Sequence, residues 1–416
     1  MAHICMPLPI ITFFSIIAPD EVVSNISEKI AIDGVQLYSA KEYTSRFSSD
    51  RSYGKRLYLF IGTGGTEQNV KDFLEEISPP ESIILFSHPS NNSLPASMEI
   101  RAYLQKEELE GEIVHGTLEE LVEQLEVWVD FTEIVSRIKE SKMLVVGEPS
   151  SWLIASEVEH RTVEKNWGMK IIPFDLEVIS QSLYDESSKD SLDIFLNNAE
   201  QVEVSRQSVN QSIRVLNGLE NILSLEKIDA LTIQCFSLFE GTGVTACNAL
   251  SVLNEREDLV AGCEGDIPST FTMFIVKLLT GNPSFMANVI AVDEEENTTT
   301  FAHCTLPRSM VESHDLVTHF ETDSSVAIRG RFKPQEVTIV KVGGFDLTDY
   351  WVSKGTIIDN QENEDGCRTQ IRIKMHQPIE YFLKQSIANH HIIVLGDYEH
   401  RFRSFFKFTL GKDAIA

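Results

Sequence analysis

Short apolar runs alternate with amphipathic stretches from residue 9 to about residue 120. The apolar runs lie at 10–17, 35–39, 57–62, 82–86 and 112–114. This alternation is typical of strands and helices in a doubly wound α/β domain with a parallel sheet. The run at 57–62 is apolar almost throughout, which favours a strand that is buried on both faces.

The middle of the chain predicts a second α/β unit. Apolar runs at 143–147 and 169–173 come first, and a long amphipathic helix is predicted at 192–225. Two further apolar runs, at 231–236 and 259–263, predict another pair of strands. The stretch 270–279 is apolar nearly all round, which predicts a helix buried in the domain interior.

The pattern changes after residue 284, where short β-prone segments separated by acidic or glycine-containing turns predominate. They lie at 286–293, 298–304, 325–329, 336–342, 355–359, 367–373 and 392–395, and a helix is predicted at 398–410. This pattern predicts a mainly antiparallel β domain. The predicted fold is therefore two doubly wound parallel-sheet α/β domains, 1–140 and 141–284, followed by a mainly antiparallel β C-terminal domain, 285–416.

Charge and cysteine usage narrow the class of protein. The 416-residue chain has a formal net charge of −28, which argues against nucleic acid and anionic membranes as partners. Its six cysteines form no CxxC pair, as expected in a reducing compartment. The apolar run 8–18 lacks a basic flank and is too short to span a bilayer. The sequence therefore predicts a cytoplasmic protein with no membrane partner.

Acidic side chains follow two consecutive apolar runs of the second unit. Glu240 stands in Phe-Glu-Gly after the run 231–236, and Glu264 and Asp266 follow the run 259–263. In an open parallel sheet, ligands bind outside the carboxyl ends of the strands. Glu240 and one of the other two acids are therefore predicted to face one pocket, although Asp266 can also cap the following helix. Carboxylates that share a pocket repel unless a cation such as Mg²⁺ or Mn²⁺ lies between them.

Histidines supply the remaining candidate ligands. His390 and His391 follow Asn389 and lead into the apolar run 392–395, so an imidazole is predicted to enter the site from the C-terminal domain. One imidazole and two carboxylates leave coordination positions open for substrate oxygens. His303, near the end of another predicted strand, stays ambiguous between a ligand and a structural residue.

The order of these motifs resembles the L-fucose isomerase/L-arabinose isomerase superfamily of metal-dependent aldose–ketose isomerases. The resemblance rests on Phe-Glu-Gly at 239–241, Cys-Glu-Gly-Asp at 263–266 and Asn-His at 389–390. It implies a Mn²⁺ ion, or another divalent cation such as Mg²⁺, held by Glu240, Asp266 and His390. It places four further residues near the substrate: Asn389, His303, Glu264 and His391. Glu264 and Asp266, and likewise the two adjacent histidines, can exchange roles.

The resemblance also implies an activity and an assembly. Aldose–ketose isomerisation would run through an ene-diol, with Glu240 and Asp266 moving the proton between neighbouring carbons. A small sugar would be the substrate, and the chain would form a homo-oligomer, a trimer or a hexamer. Because fold does not fix function, a non-catalytic sugar-binding or regulatory protein stays an alternative. A metal-dependent epimerase or lyase acting on a related sugar is another.

Overall fold

The structure is a computed structural model that describes residues 7–47, 56–78, 80–183 and 189–415. The chain divides into two compact units, one ending at Ser136 and the other beginning at Arg137. The three domain ranges 1–140, 141–284 and 285–416 stay a prediction. Within the described residues, no helix combines the length and the apolar character needed to cross a bilayer.

The first unit is built on a five-stranded parallel sheet in the order β2-β1-β3-β4-β5. Its strands are β1 (Leu8–Phe13), β2 (Val35–Ser39), β3 (Arg56–Ile61), β4 (Ser82–Ser87) and β5 (Glu110–His115). Its helices are α1 (Asp20–Ile30), α2 (Ala40–Phe47), α3 (Glu67–Glu76) and α4 (Ser93–Lys106), and α5 (Leu118–Glu140) follows them. The predicted parallel sheet is confirmed, and β3 and β4 are buried at nearly every position, as their continuous apolar runs predict.

A second parallel sheet, in the order β7-β6-β8-β9, opens the second unit. Its strands are β6 (Lys142–Val146), β7 (Lys170–Phe174), β8 (Ala230–Ile233) and β9 (Val260–Cys263). The helices here are α6 (His160–Trp167), α7 (Leu176–Ser182), α8 (Lys189–Asn198), α9 (Arg206–Leu223), α10 (Cys235–Thr242), α11 (Cys247–Leu253) and α12 (Ile267–Thr280). The single long helix predicted at 192–225 is wrong, because the Ser205 side chain caps a new helix by accepting from Ser208 N–H.

The C-terminal part is antiparallel, as predicted, and six of its strands close into a barrel in the order β10-β11-β16-β15-β14-β17. The barrel strands are β10 (Phe285–Asp293), β11 (Thr298–His303), β14 (Glu336–Gly343), β15 (Asp349–Asn360), β16 (Thr369–Met375) and β17 (His391–Leu395). A two-stranded sheet of β12 (Ser313–Val317) and β13 (Ala327–Arg331) accompanies them, with α13 (Glu380–Lys384) and α14 (Glu399–Leu410). Strand β12 is absent from the sequence prediction.

Helix α12 packs between the second parallel sheet and the barrel. It contacts β8 and β9 on one side and β14 and β17 on the other. Its side chains are buried along almost the whole length, which explains why the sequence is apolar all round the helix. The start of α12 therefore lies where the end of β9 meets the barrel, and the candidate site forms at this point.

Candidate metal centre

A tight turn at the end of β9 positions the acidic side chains of Glu264 and Asp266. Glu264 and Gly265 both have left-handed backbone angles, with φ of 62° and 70°. A Cβ at Gly265 would lie 2.6 Å from the carbonyl oxygen of Glu148, so only glycine fits this position. The chain therefore reverses within two residues, and Asp266 becomes the N-cap of α12, accepting a hydrogen bond from Ser269 N–H.

Three buried side chains from the sheet and the barrel meet beyond this turn. Oε1 of Glu264 lies 3.5 Å from Nε2 of His390 and 3.9 Å from Nε2 of His303. The ligand atoms of these three residues, here called the ligand group, all lie within 4.8 Å of one another. Donor atoms at this spacing can share one ion.

Strand pairing in the barrel explains why the two histidines meet. His303 ends β11 and His390 directly precedes β17, and both strands pair with β10. Neighbouring residues of β10 are the partners, since Asn288 pairs with Ala302 and Ala287 pairs with His391. The two imidazoles therefore emerge at the same end of the barrel, with ring centroids 5.5 Å apart.

Hydrogen bonds orient both imidazoles towards Glu264. Nδ1 of His390 lies 2.8 Å from Oδ2 of Asp266, and Nδ1 of His303 lies 2.9 Å from Oγ1 of Thr305. Each ring therefore presents Nε2 to the ligand group. Within the described part of the chain, the buried Nε2 of His390 has no hydrogen-bond partner. Metal-binding histidines are held in this way, with the second nitrogen on an oxygen atom.

Burial and charge set the protonation of the ligand group. Burial alone would lower the pKa of His390, but the carboxylates of Asp266 and Glu264 overcome it and raise the pKa to about 9. Burial acts to raise the pKa of Glu264, but the neighbouring imidazoles hold it at about 2. Burial lowers the pKa of His303 to about 3. Near neutral pH, His390 thus carries a proton that a bound cation would displace.

A buried lysine supports the far side of Asp266. Lys341 is fully buried in β14, and its Nζ donates to Oγ of Ser269, which in turn donates to Oδ2 of Asp266. Burial acts to raise the pKa of Asp266, but the charge of Lys341 and the contact with His390 hold it well below its usual range. Asp266 therefore stays ionised and acts as a fixed acceptor for the His390 ring.

The donor set fits a divalent cation. One carboxylate and two imidazoles converge, and the Nε2 of His390, which has no hydrogen-bond partner among the described residues, is a ligand atom that an ion would satisfy. Two nitrogen ligands suit Mn²⁺ or another transition metal better than Mg²⁺, which prefers oxygen ligands. Glu264, His303 and His390 would hold the ion, and Asp266 would orient His390.

Glu240 lies outside the ligand group. Strand β8 ends at Ile233, three residues before the end of the predicted run, and the chain then forms α10. Glu240 is therefore an exposed residue of a helix and does not directly follow a strand. Its predicted role as a ligand and a catalytic carboxylate stays a prediction, and it requires a different position of α10.

The adjacent residues of the C-terminal motif take separate places. His391 is buried among aromatic rings, with its Nδ1 2.8 Å from the Asn389 carbonyl and its Nε2 3.1 Å from the Tyr381 hydroxyl. Both of its nitrogens thus face protein atoms. Asn389 is exposed and its side chain donates to Oδ1 of Asn288.

The structure brings four of the predicted site residues together: His390, Glu264, His303 and Asp266. Glu240 and His391 lie elsewhere.

Three residues that support the ligand group or Asp266 are not among the residues predicted from the sequence. Trp152 donates its indole N–H to Oε2 of Glu264 at 2.7 Å, although it lies in the segment between β6 and α6 with no motif to mark it. Thr305, beside His303, likewise carries no signal. Lys341 does carry one, because it is the single charged residue within the apolar run 337–342. A lysine placed in a buried strand calls for a carboxylate partner.

A small cavity adjoins the ligand group. Its volume is about 50 Å³, enough for a few water molecules. Its walls include Glu264 and His303, the rings of Phe236, Phe239 and His319, the polar residues Thr245, Asn288, Glu321 and Thr322, and Cys235, Cys247, Cys263, Cys304 and Cys367. We call it the site cavity. An ion with its waters fits it, and a sugar requires its walls to move.

Fold and site together define an α/β protein with a buried carboxylate–imidazole group suited to a divalent cation. The chain is similar to proteins named sulfoquinovose isomerase. It is 27% identical to the Alkalicoccus urumqiensis protein over 203 residues, which is 46% of this chain and 45% of that relative. It is 23% identical to the proteins of Priestia aryabhattai and Priestia megaterium over 327 residues, 74% of this chain and 72% of each relative. No protein-family model matches the chain.

The buried lysine yields a stability prediction. In Lys341→Met, the buried charge of Asp266 loses the Lys341 cation and keeps His390 as a cationic neighbour, so the free energy of unfolding should fall by about 3 kcal/mol. Urea denaturation followed by circular dichroism measures this. Lys333→Met is the control, because the Lys333–Glu312 pair is exposed and its loss should cost no more than about 1 kcal/mol.

A double-mutant cycle isolates the coupling between Lys341 and Asp266. The combined Lys341→Met and Asp266→Asn variant should lose less stability than the two single variants added together, because neither unbalanced charge remains. Strict additivity would mean that Lys341 only fills space in β14.

Proposed function

We propose that this protein is a divalent-metal-dependent aldose–ketose sugar isomerase that acts through an ene-diol. The observation that carries the proposal is the buried ligand group, in which the Nε2 of His390 faces a carboxylate and a second imidazole and has no hydrogen-bond partner in the part of the chain that the structure describes. The similarity to proteins named sulfoquinovose isomerase supports the same class of reaction. A non-catalytic sugar-binding protein has no need of such a group.

The roles of the chain's own residues follow from their contacts. A bound divalent cation supplies Lewis-acid polarisation of a sugar carbonyl and stabilises the charge that develops on the ene-diol oxygens. Glu264, His303 and His390 would hold that cation. Asp266 and Thr305 keep the two rings aimed, and the indole N–H of Trp152 fixes the second oxygen of Glu264.

A carboxylate must move the proton between neighbouring carbons of the sugar. Glu240 is the first candidate, and this role needs α10 to shift towards the ligand group. Glu321 is the second, because it already lines the site cavity, and burial raises its pKa towards the range useful for a general base. Asp266 is fully buried between Ser269 and His390, so we assign it to orienting the ligand and not to proton transfer.

The substrate we propose is a 6-sulfonated hexose, as the names of the relatives indicate. The charged side chains that line the site cavity are acidic, so a sulfonate needs a cation from its border. Arg368 is suitably placed: it follows the cavity residue Cys367, and its charge acts on His319 and Cys304 of the cavity wall. Within the described residues, no carboxylate lies within ion-pair distance of Arg368, whose Nε donates to the Thr318 carbonyl.

Assembly and location extend the proposal. We expect a homo-oligomer, a trimer or a hexamer, in the cytoplasm, with Mn²⁺ as the ion. Light scattering of the purified protein measures the oligomeric state, and metal analysis identifies the bound ion.

The experiment that tests the proposal is proton exchange in D₂O. With Mn²⁺ present, the protein should introduce deuterium at C1 or C2 of a sugar from a panel of pentoses, hexoses, 6-deoxyhexoses and 6-sulfonated hexoses, and the ketose should accumulate. NMR follows both. Exchange with inversion but no ketose would identify an epimerase, and tight sugar binding without any exchange would identify a sugar-binding protein.

Arg368 is tested by substrate selectivity. In Arg368→Gln, the KM for a 6-sulfonated hexose should rise by about 10- to 100-fold, because a charge-assisted hydrogen bond is lost. The KM for the uncharged hexose should stay unchanged. Arg368→Lys should recover part of the loss. Arg372→Gln, which removes an arginine paired with Asp359, is the matched control, and an equal rise for both sugars in Arg368→Gln would refute sulfonate recognition by this residue.

A further inference from the structure

The site cavity is lined by an unusual concentration of thiols. All five cysteines of the described residues belong to its wall: Cys235, Cys247, Cys263, Cys304 and Cys367. Each is a free thiol, and the sixth, Cys5, lies outside the described residues. Free cysteine packs as a small buried hydrophobe, but it also has a chemical reactivity that other small apolar residues lack.

Two of these thiols lie close enough to react with each other. The Sγ atoms of Cys235 and Cys263 are 3.0 Å apart, and both residues are buried. Cys263 ends β9 and is the register partner of Ile233, the last residue of the neighbouring strand β8. Cys235 stands two residues beyond Ile233, at the first position of α10. Adjacent parallel strands thus deliver both side chains to one sheet edge.

We propose that Cys235 and Cys263 form a redox modification site that closes to a disulfide when a peroxide enters the site cavity. The sulfurs need to approach by only about 1 Å to reach the S–S bond length of about 2.0 Å. Both cysteines line the site cavity, so a small oxidant inside the cavity would meet both side chains. Reversible disulfides of this kind, in chains that otherwise keep their thiols reduced, are typical of redox sensing.

The chemistry balances with hydrogen peroxide as the oxidant. The Cys235 sulfur takes one oxygen of the peroxide to become a sulfenic acid, and the O–O bond breaks with release of one water. The Cys263 sulfur then attacks the sulfenic sulfur, the S–S bond forms, and the hydroxyl leaves as a second water. The two thiols lose two electrons and two protons in total, and the peroxide gains them. A dithiol reductant reverses the change by exchange.

The bond would tie the start of α10 to the end of β9. Phe236 and Phe239 of α10 line the site cavity, and Glu264 of the ligand group follows Cys263 directly. Oxidation would therefore restrain the part of the cavity wall formed by these two phenylalanines, next to Glu264. Any effect on catalysis rests on the proposed function, whereas formation of the bond does not.

The test is peptide mapping of the full chain after exposure to hydrogen peroxide. We expect the intact mass to fall by two hydrogen atoms, a cross-linked peptide pair containing Cys235 and Cys263 under non-reducing conditions, and recovery of both free thiols with dithiothreitol. Because mass is the readout, the outcome is independent of whether the protein isomerises a sugar.

Matched variants separate this pair from the other thiols. Cys235→Ser and Cys263→Ser should each abolish the cross-link, whereas Cys247→Ser should retain it. If a serine variant fails to fold by circular dichroism, the map of the native protein still decides the question. An unchanged mass, a gain of oxygen without a cross-link, or a cross-link confined to Cys304 and Cys367 would overturn the assignment.

Discussion

The hydrogen bond between Asp266 and His390 is the interaction on which the candidate site depends. It joins the cap of α12 to the first residue before β17, both fully buried, at 2.8 Å. The α/β sheet and the barrel therefore share one oriented imidazole. The charge of Lys341 and the contact with His390 keep Asp266 ionised, and Ser269 links Lys341 to Asp266 by hydrogen bonds, so Asp266 stays an acceptor for the ring that faces Glu264.

This arrangement gives the two structural parts different tasks. The parallel sheet positions Glu264 at the end of β9, in a tight turn that requires glycine at position 265. The barrel positions His303 and His390 through β11 and β17, the two strands that flank β10. Metal-site precision of this kind comes from rigid elements and from contacts behind the ligands. The sulfosugar proposal adds Arg368 at the border of the same cavity, because the charged side chains among the described lining residues are acidic and offer a sulfonate no cation.

Sequence patterns predicted the parallel sheets, the antiparallel C-terminal part and the buried helix, because hydrophobic periodicity reports burial directly. Glu264, Asp266 and His303 are candidates because they lie at or just after the ends of predicted strands, and His390 is a candidate because it leads into one. A short apolar run is compatible with either a strand or a helix, so periodicity alone does not predict that β8 ends at Ile233. Glu240 therefore lies in helix α10 and not directly after a strand. Trp152 and Thr305 contact the site through hydrogen bonds that no local sequence pattern predicts. In the sequence, the cysteines have the pattern of ordinary apolar residues, and their grouping around one cavity becomes visible only in the folded chain.

Manganese binding by equilibrium dialysis tests the central claim most directly. The native protein and His319→Gln, whose side chain lines the cavity outside the ligand group, should each bind about one Mn²⁺ per chain. Glu264→Gln, His303→Gln and His390→Gln should each bind it at least about 10-fold more weakly. Undiminished Mn²⁺ affinity in all three ligand variants would contradict the account.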